Sequence, residues 1–179
     1  IRDRGKGGHA AKPQETIDPT VIASQIVVAL QTIASRRADP VKQVVVSVTS
    51  FETSSNAFNV IPQEVKIKGT VRTLDPEVRD LAEKEFLRIT KLTAEALGGS
   101  ADAKYTRGYP VMSNSDQQTE FAAKVARDVS GKCDEAPLVM GGEDFAYMLE
   151  ERPGAYILIG NGDSAPVHHP EYNFNDDAI

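Results

Sequence analysis

The chain has 179 residues and a mass of 19.4 kDa, with 40% hydrophobic and 26% charged residues, the values of a globular protein with room for one average domain or two small ones. Its 26 acidic against 20 basic residues give a net charge of −6, which argues against a nucleic-acid or anionic-membrane surface, and no apolar run approaches the roughly 20 residues of a membrane helix. The single cysteine, Cys133, excludes an intrachain disulfide framework and a CxxC metal knuckle, and its simplest setting is a reducing, cytoplasmic one.

The chain opens Ile1-Arg2-Asp3-Arg4, with neither Met nor a charged-then-apolar leader, and reads as cut from something longer. Gly5 to Thr16 is glycine-rich and polar, a strand end followed by a loop. Asp18-Pro19 supplies an N-cap and a first-turn proline, and Val21, Ile22, Ile26, Val27, Leu30 and Ile33 follow at helical spacing. A helix is therefore predicted from Pro19 to Ser35, with Arg36 and Arg37 against its negative end. Gln43 to Phe51 holds a β-branched run and predicts a strand. Val65 to Arg72 alternates strictly, with Lys66, Lys68, Thr70 and Arg72 on its polar face. Asp75-Pro76 repeats the helix-start device before Val78, Leu81, Ala82, Phe86, Ile89, Leu92 and Ala96, and Gly98-Gly99 ends that helix. Asp102 to Tyr109 is a short polar strand candidate.

This order, (β)αββαβ, lets two helices cover one face of a four-stranded antiparallel sheet, an α+β ferredoxin-like sandwich whose lysine-bearing face stays open. Beyond Pro110 the pattern changes. A helix is predicted over Thr119 to Val129, and Gly141-Gly142-Glu143-Asp144 leads into another. Tyr156 to Ile159 reads as a short buried strand, and Val167-His168-His169-Pro170 follows. So few elements make a poor independent domain, and the tail reads as one piece of a larger α/β domain.

The chemistry-bearing residues are few. His168 and His169 have the residue type of a metal ligand, yet a catalytic zinc wants about three protein ligands, so the pair is either part of a divided site or a surface loop. His9, beside Gly7-Gly8, is either an exposed loop histidine or a hydrogen-bond donor to an oxyanion; the Gly-Lys-Gly-Gly run lacks phosphate-loop spacing. Arg72 is either a carboxylate clamp or part of a solvated sheet face. Asn59 is a turn residue or an amide aimed at substrate, and Glu143 and Asp144 serve the helix dipole or bind an amine. Cys133 has no evident activation.

Taken in order, Gly7-Gly8-His9-Ala10-Ala11-x-Pro13, Asp18-Pro19, Asn59-Val60-Ile61-Pro62, Gly69-Thr70-Val71-Arg72, Gly142-Glu143-Asp144-Phe145 and Val167-His168-x-Pro170-x-Tyr172-x-Phe174 resemble the dinuclear-metal amidohydrolases. These are the aminoacylase-like metallopeptidases, and the hippurate and indoleacetyl-amino-acid hydrolase branch is the most similar. The resemblance corresponds to the C-terminal half of a member. It implies a ferredoxin-like lid and dimerisation domain at residues 1–112, with its first strand truncated, and a C-terminal segment of an α/β zinc-peptidase-like catalytic domain at 113–179.

By the same resemblance, His168 is a metal ligand and His169 is not, His9 stabilises the oxyanion, in trans from a partner subunit, and Asn59, Arg72, Gly142 and Glu143 bind substrate. Gln14 stands where relatives often carry a second lid histidine. The implied reaction is cleavage of the amide bond of N-acyl amino acids or small peptides by a metal-activated water, with a glutamate outside this chain shuttling the proton. The implied cofactor is a divalent metal, two per complete site (Zn, Mn or Co), with none held by this chain alone. The implied partners are the small substrate and a second copy joined through the lid, with no nucleic acid and no membrane. The competing expectation is a non-catalytic ferredoxin-like dimerisation or ligand-sensing module.

Overall fold

The computed structural model describes residues 1–178. They form two compact units, one of Ile1–Val111 with Met140–Gly142, the other of Met112–Val139 with the residues from Glu143 onward. The first unit runs β1 (Arg2–Arg4), β2 (Gly8–His9), α1 (Pro19–Leu30), β3 (Val44–Thr53), β4 (Val60–Ile61), β5 (Glu64–Thr73), α2 (Pro76–Ala96) and β6 (Ser100–Asp102). The strand that opens the sheet is thus Arg2–Arg4, and the glycine-rich segment after it supplies β2 of a separate ribbon rather than the end of that strand.

Both helices begin where an aspartate satisfies orphan amides. The Asp18 carboxylate accepts Thr20 N–H at 2.8 Å, and Asp75 accepts Glu77 N–H at 2.8 Å and Val78 N–H at 3.1 Å. α1 stops earlier than its apolar spacing suggests. Gln31, Thr32 and Ser35 donate side-chain hydrogen bonds to the carbonyls of Val27, Ala29 and Gln31, and the chain continues as a π-turn over Ile33–Arg37, closed by Ala38 N–H on Ile33 O at 2.9 Å.

Four strands form one sheet in the order β3-β5-β1-β6, with every neighbouring pair antiparallel, while β2 and β4 make a separate two-stranded ribbon. The alternation of β5 sets the layers. Val65 and Ile67 are buried in one core with Ile22, Ile26, Leu30 and Ile33 and with Ala82, Ile89 and Ala94 of α2. The opposite face carries ion pairs of alternating sign: Arg2–Glu64 at 3.1 Å, Arg4–Asp102 at 2.7 Å and Lys68–Glu52 at 3.3 Å. Such exposed pairs stabilise little, and they leave this face wet. The strand expected at Asp102 to Tyr109 ends at Asp102. Beyond it Arg107 pairs with Asp80 and Glu83, and Arg79 donates to Gly108 O at 2.7 Å, so the segment is tied to α2 instead.

The second unit contains α3 (Asp116–Ser130) and α4 (Phe145–Glu151). Gly131, with φ at 77°, closes α3 through its N–H to Arg127 O. The buried strand expected at Tyr156 to Ile159 is absent: Ile157, Leu158 and Ile159 are exposed and pair with no strand among the described residues. A strand needs a neighbour for its amides, and among the described residues the Tyr156 backbone is met by a side chain. The Asn114 carboxamide donates to Tyr156 O at 2.9 Å and accepts Tyr156 N–H at 2.8 Å. Among the described residues no helix is long and apolar enough to cross a membrane.

Candidate active site

His9 closes β2 of the β2–β4 ribbon, and Asn59 directly precedes β4. Gly8 pairs with Ile61 and His9 with Val60, and Ala10 N–H donates to Asn59 O at 3.0 Å. The glycines are there for close approach. A Cβ on Gly7 would stand 2.7 Å from Ile61 O, and one on Gly8 would stand 2.8 Å from Thr16 Cγ2. Ala11 N–H donates to His9 Nδ1 at 3.1 Å, inside a turn closed by Lys12 N–H on His9 O. An accepting Nδ1 places the proton of the neutral ring on Nε2. The exposed imidazole of His9 therefore presents an N–H donor to solvent.

Arg72 lies on the open face of β5, and among the described residues no carboxylate pairs with it. A Cβ on Gly142 would stand 3.6 Å from Arg72 Nη1 and 3.3 Å from Tyr109 Cδ2. The backbone at Gly142 thus lies against both the guanidinium and the Tyr109 ring, a juxtaposition that the sequence separates by seventy positions.

Glu143 belongs to the second unit, where its Oε2 accepts the Tyr156 hydroxyl at 3.1 Å. A hydrogen bond shared with Asp144, then the Phe145 N–H and the Tyr156 hydroxyl, hold its carboxyl below the usual range, and the same contact raises the Tyr156 phenol. The Phe145 and Tyr156 rings pack at 5.6 Å. Neither Tyr109 nor Tyr156 stands out in the sequence as a site residue, since a lone tyrosine carries no signal of what it will touch.

His168 and His169 differ sharply. His169 N–H closes a turn on Pro166 O, its Nδ1 accepts Glu171 N–H at 3.2 Å, and its carbonyl accepts Tyr172 N–H. His168 sits inside the first turn with φ at 69°, the left-handed region that a non-glycine residue enters only at a cost. Its ring is exposed and makes no hydrogen bond among the described residues. Those residues contain no group of three or more His, Cys, Asp or Glu able to hold a metal ion. The donor set offered here is therefore one unencumbered imidazole where a catalytic zinc takes about three protein ligands. No hydrogen bond links Glu143 to His168 among the described residues.

Comparison with known families matches residues 6–179 to peptidase family M20/M25/M40. The chain belongs to this family. Among its relatives in M20 is the N-acetyl-L-cysteine deacetylase of Bacillus subtilis, 37% identical over 179 residues that make up 100% of this chain and 43% of that protein. The hippurate hydrolase of Campylobacter jejuni is 38% identical over 178 residues, 96% of this chain and 45% of that protein. The crystal structure of the Bacillus subtilis YXEP protein, described as a dinuclear metal binding peptidase from the M20 family, superposes with a TM-score of 0.74 at 28% identity, over 99% of this chain and 45% of that one. The M20 chain thus spans a little under half the length of the relatives it matches.

Proposed function

We propose that this chain forms the lid and C-terminal part of a metal-dependent amidohydrolase that cleaves the amide bond of N-acyl amino acids or small peptides. The family match over residues 6–179 carries the reading, and relatives named for deacetylation of N-acetylcysteine and hydrolysis of hippurate fit its substrate class. The lid is residues 1–112 in a ferredoxin-like arrangement, for which the strand order β3-β5-β1-β6 and the two helices packed with β5 speak. The tail at 113–179 is a segment of an α/β catalytic domain. The long edge strand β3 suits a homodimer joined through the lid, and the single cysteine suits the cytoplasm.

His168 would contribute one imidazole to a divalent metal whose other ligands lie outside this chain. When bound, such a metal supplies the nucleophilic water and polarises the scissile carbonyl. His9 donates its Nε2–H to the oxygen that gains charge, and the Ala11 amide on Nδ1 keeps that proton in place. Arg72 takes the substrate carboxylate as a planar two-pronged donor beside the Gly142 backbone, Asn59 contacts the substrate from the same ribbon as His9, and Glu143 contributes from the loop into α4.

These 179 residues alone are expected to hydrolyse nothing. The longest gene product containing them is expected to bind metal stoichiometrically and to hydrolyse N-acyl amino acids. In that product His9→Ala should lower kcat by ~10²-fold, as loss of an oxyanion donor does. Unchanged kcat removes His9 from the mechanism, and absence of bound metal under every condition supports a non-catalytic dimerisation or ligand-sensing module instead.

A further inference from the structure

We infer that Gln63 is a positioning residue for His9, a role that rests on the oxyanion reading above. The segment leading to His9 and the segment leading from Asn59 run antiparallel but are out of step. Arg4 pairs with Glu64, whereas Gly8 pairs with Ile61. Three residues, Gly5 to Gly7, therefore face two, Pro62 and Gln63, as in a bulge. One of the two is a proline with no amide to donate.

The Gln63 carboxamide fills that gap. Its Oε1 accepts Gly7 N–H at 3.0 Å, and its Nε2 donates to Gly5 O at 2.9 Å. Its own carbonyl accepts Gly5 N–H at 3.2 Å. One side chain thus serves as the missing peptide group across the irregular step. The other edge of the same glycine segment is held by Lys6, whose N–H and C=O both bond Ile17. Gln63 is itself fixed, because the Ser54 hydroxyl oxygen accepts the N–H of both Gln63 and Glu64 at 3.1 Å.

The chain of contacts therefore runs Ser54, Gln63, Gly5 and Gly7, then Gly8-His9 in the ribbon. With this clamp in place the ring of His9 starts from a defined backbone, although the residue itself is exposed at the end of β2. Small misplacement of a catalytic donor is costly, on the order of 10²-fold for about 1 Å.

The test uses the longest gene product with N-benzoylglycine as probe, and the variants Gln63→Leu, Gln63→Glu and His9→Ala. Gln63→Leu removes both contacts. Gln63→Glu keeps the acceptor for Gly7 N–H and loses the donor to Gly5 O, so it serves where the leucine variant fails to fold. Gln63→Leu is expected to lower kcat at least tenfold with KM little changed, Gln63→Glu by less, and neither to lower it further in the His9→Ala background. Hydrogen exchange at the Ala10 amide, which reports the ribbon directly, should quicken in both variants. Losses that multiply with that of His9→Ala, or an Ala10 amide as protected as in the parent, overturn the assignment. If His9→Ala itself leaves kcat unchanged, the oxyanion reading falls, and exchange at Ala10 alone then decides whether Gln63 holds the ribbon.

Discussion

Two carboxylates in the first unit face opposite environments, and their pH signatures have opposite signs. Asp3 on β1 is 0% exposed, and neither of its oxygens makes a well-formed hydrogen bond. Burial pushes its carboxyl up to about 6, against the pull of the Arg4 and Ala23 amides, and the charge of Asp18 adds to the rise. Between its ordinary value of 3.8 and about 6, the folded chain holds a proton that the unfolded chain has lost, so stability falls as pH rises through that window and stays lower above it. Asp3→Asn should therefore be more stable than the parent at pH 7, by roughly 1–3 kcal/mol in denaturant midpoints, and no more stable at pH 4. Glu85, 5% exposed on α2, is held down to about 2 by Arg88 at 2.7 Å and Arg37 at 2.9 Å. Its contribution is complete above its usual 4.5 and is lost as pH drops toward 2. Glu85→Gln should destabilise by roughly 1–3 kcal/mol at pH 7, and the gap should close in melts below pH 3. The apolar face of β1 reads poorly in the sequence because an aspartate stands where the layer calls for an apolar residue.

At the level of elements, the parts that read correctly are those decided by neighbours in the chain. Asp18-Pro19 and Asp75-Pro76 start helices because the capping oxygen and the amides it serves lie within three residues. The alternation of Val65 to Arg72 sorts side chains between two faces whatever lies beyond. What the sequence hid depends on distant partners: Gln63 reaches across 58 positions to Gly5, and Asn114 across 42 to Tyr156. In each case a carboxamide stands in for a strand, a substitution with no periodicity to detect. The strand expected at Tyr156 fails for the same reason, since its amides met a side chain rather than a ladder. Gly69 is a local feature whose meaning is equally non-local. It pairs with Val48 at the register shift between Val48 and Ser50, and a Cβ there would collide with the Ser47 carbonyl. Gly69→Ala should cost roughly 1–3 kcal/mol, read as a lower thermal midpoint without loss of helical signal.

At the level of the whole molecule, the two units differ in how well each covers its apolar side chains. The first surrounds one core. The second leaves Phe121 at 71% and Val129 at 82% exposed along α3, with Val125 between them and Ile157 to Ile159 uncovered, more than a stable small domain leaves in water. Residues 113–179 expressed alone should bind a hydrophobic dye strongly and melt without a sharp transition, whereas the longest gene product should do neither. For the candidate site, it is the order of motifs along the chain that nominates His9, Asn59, Arg72, Gly142, Glu143 and His168. The Nε2–H of His9, the left-handed turn at His168 and the approach of the Gly142 backbone to the Arg72 guanidinium required coordinates, because none of them leaves a pattern in the sequence. The shift in register between Val48 and Ser50 also bears on what β3 tolerates along its outer side. An added strand that matched Val44–Val48 would arrive one residue late at Ser50–Thr53, so only a partner carrying its own compensating irregularity follows the full length. A long border that would otherwise invite indiscriminate stacking is thereby keyed, and fibril-like growth along it is denied a continuous template.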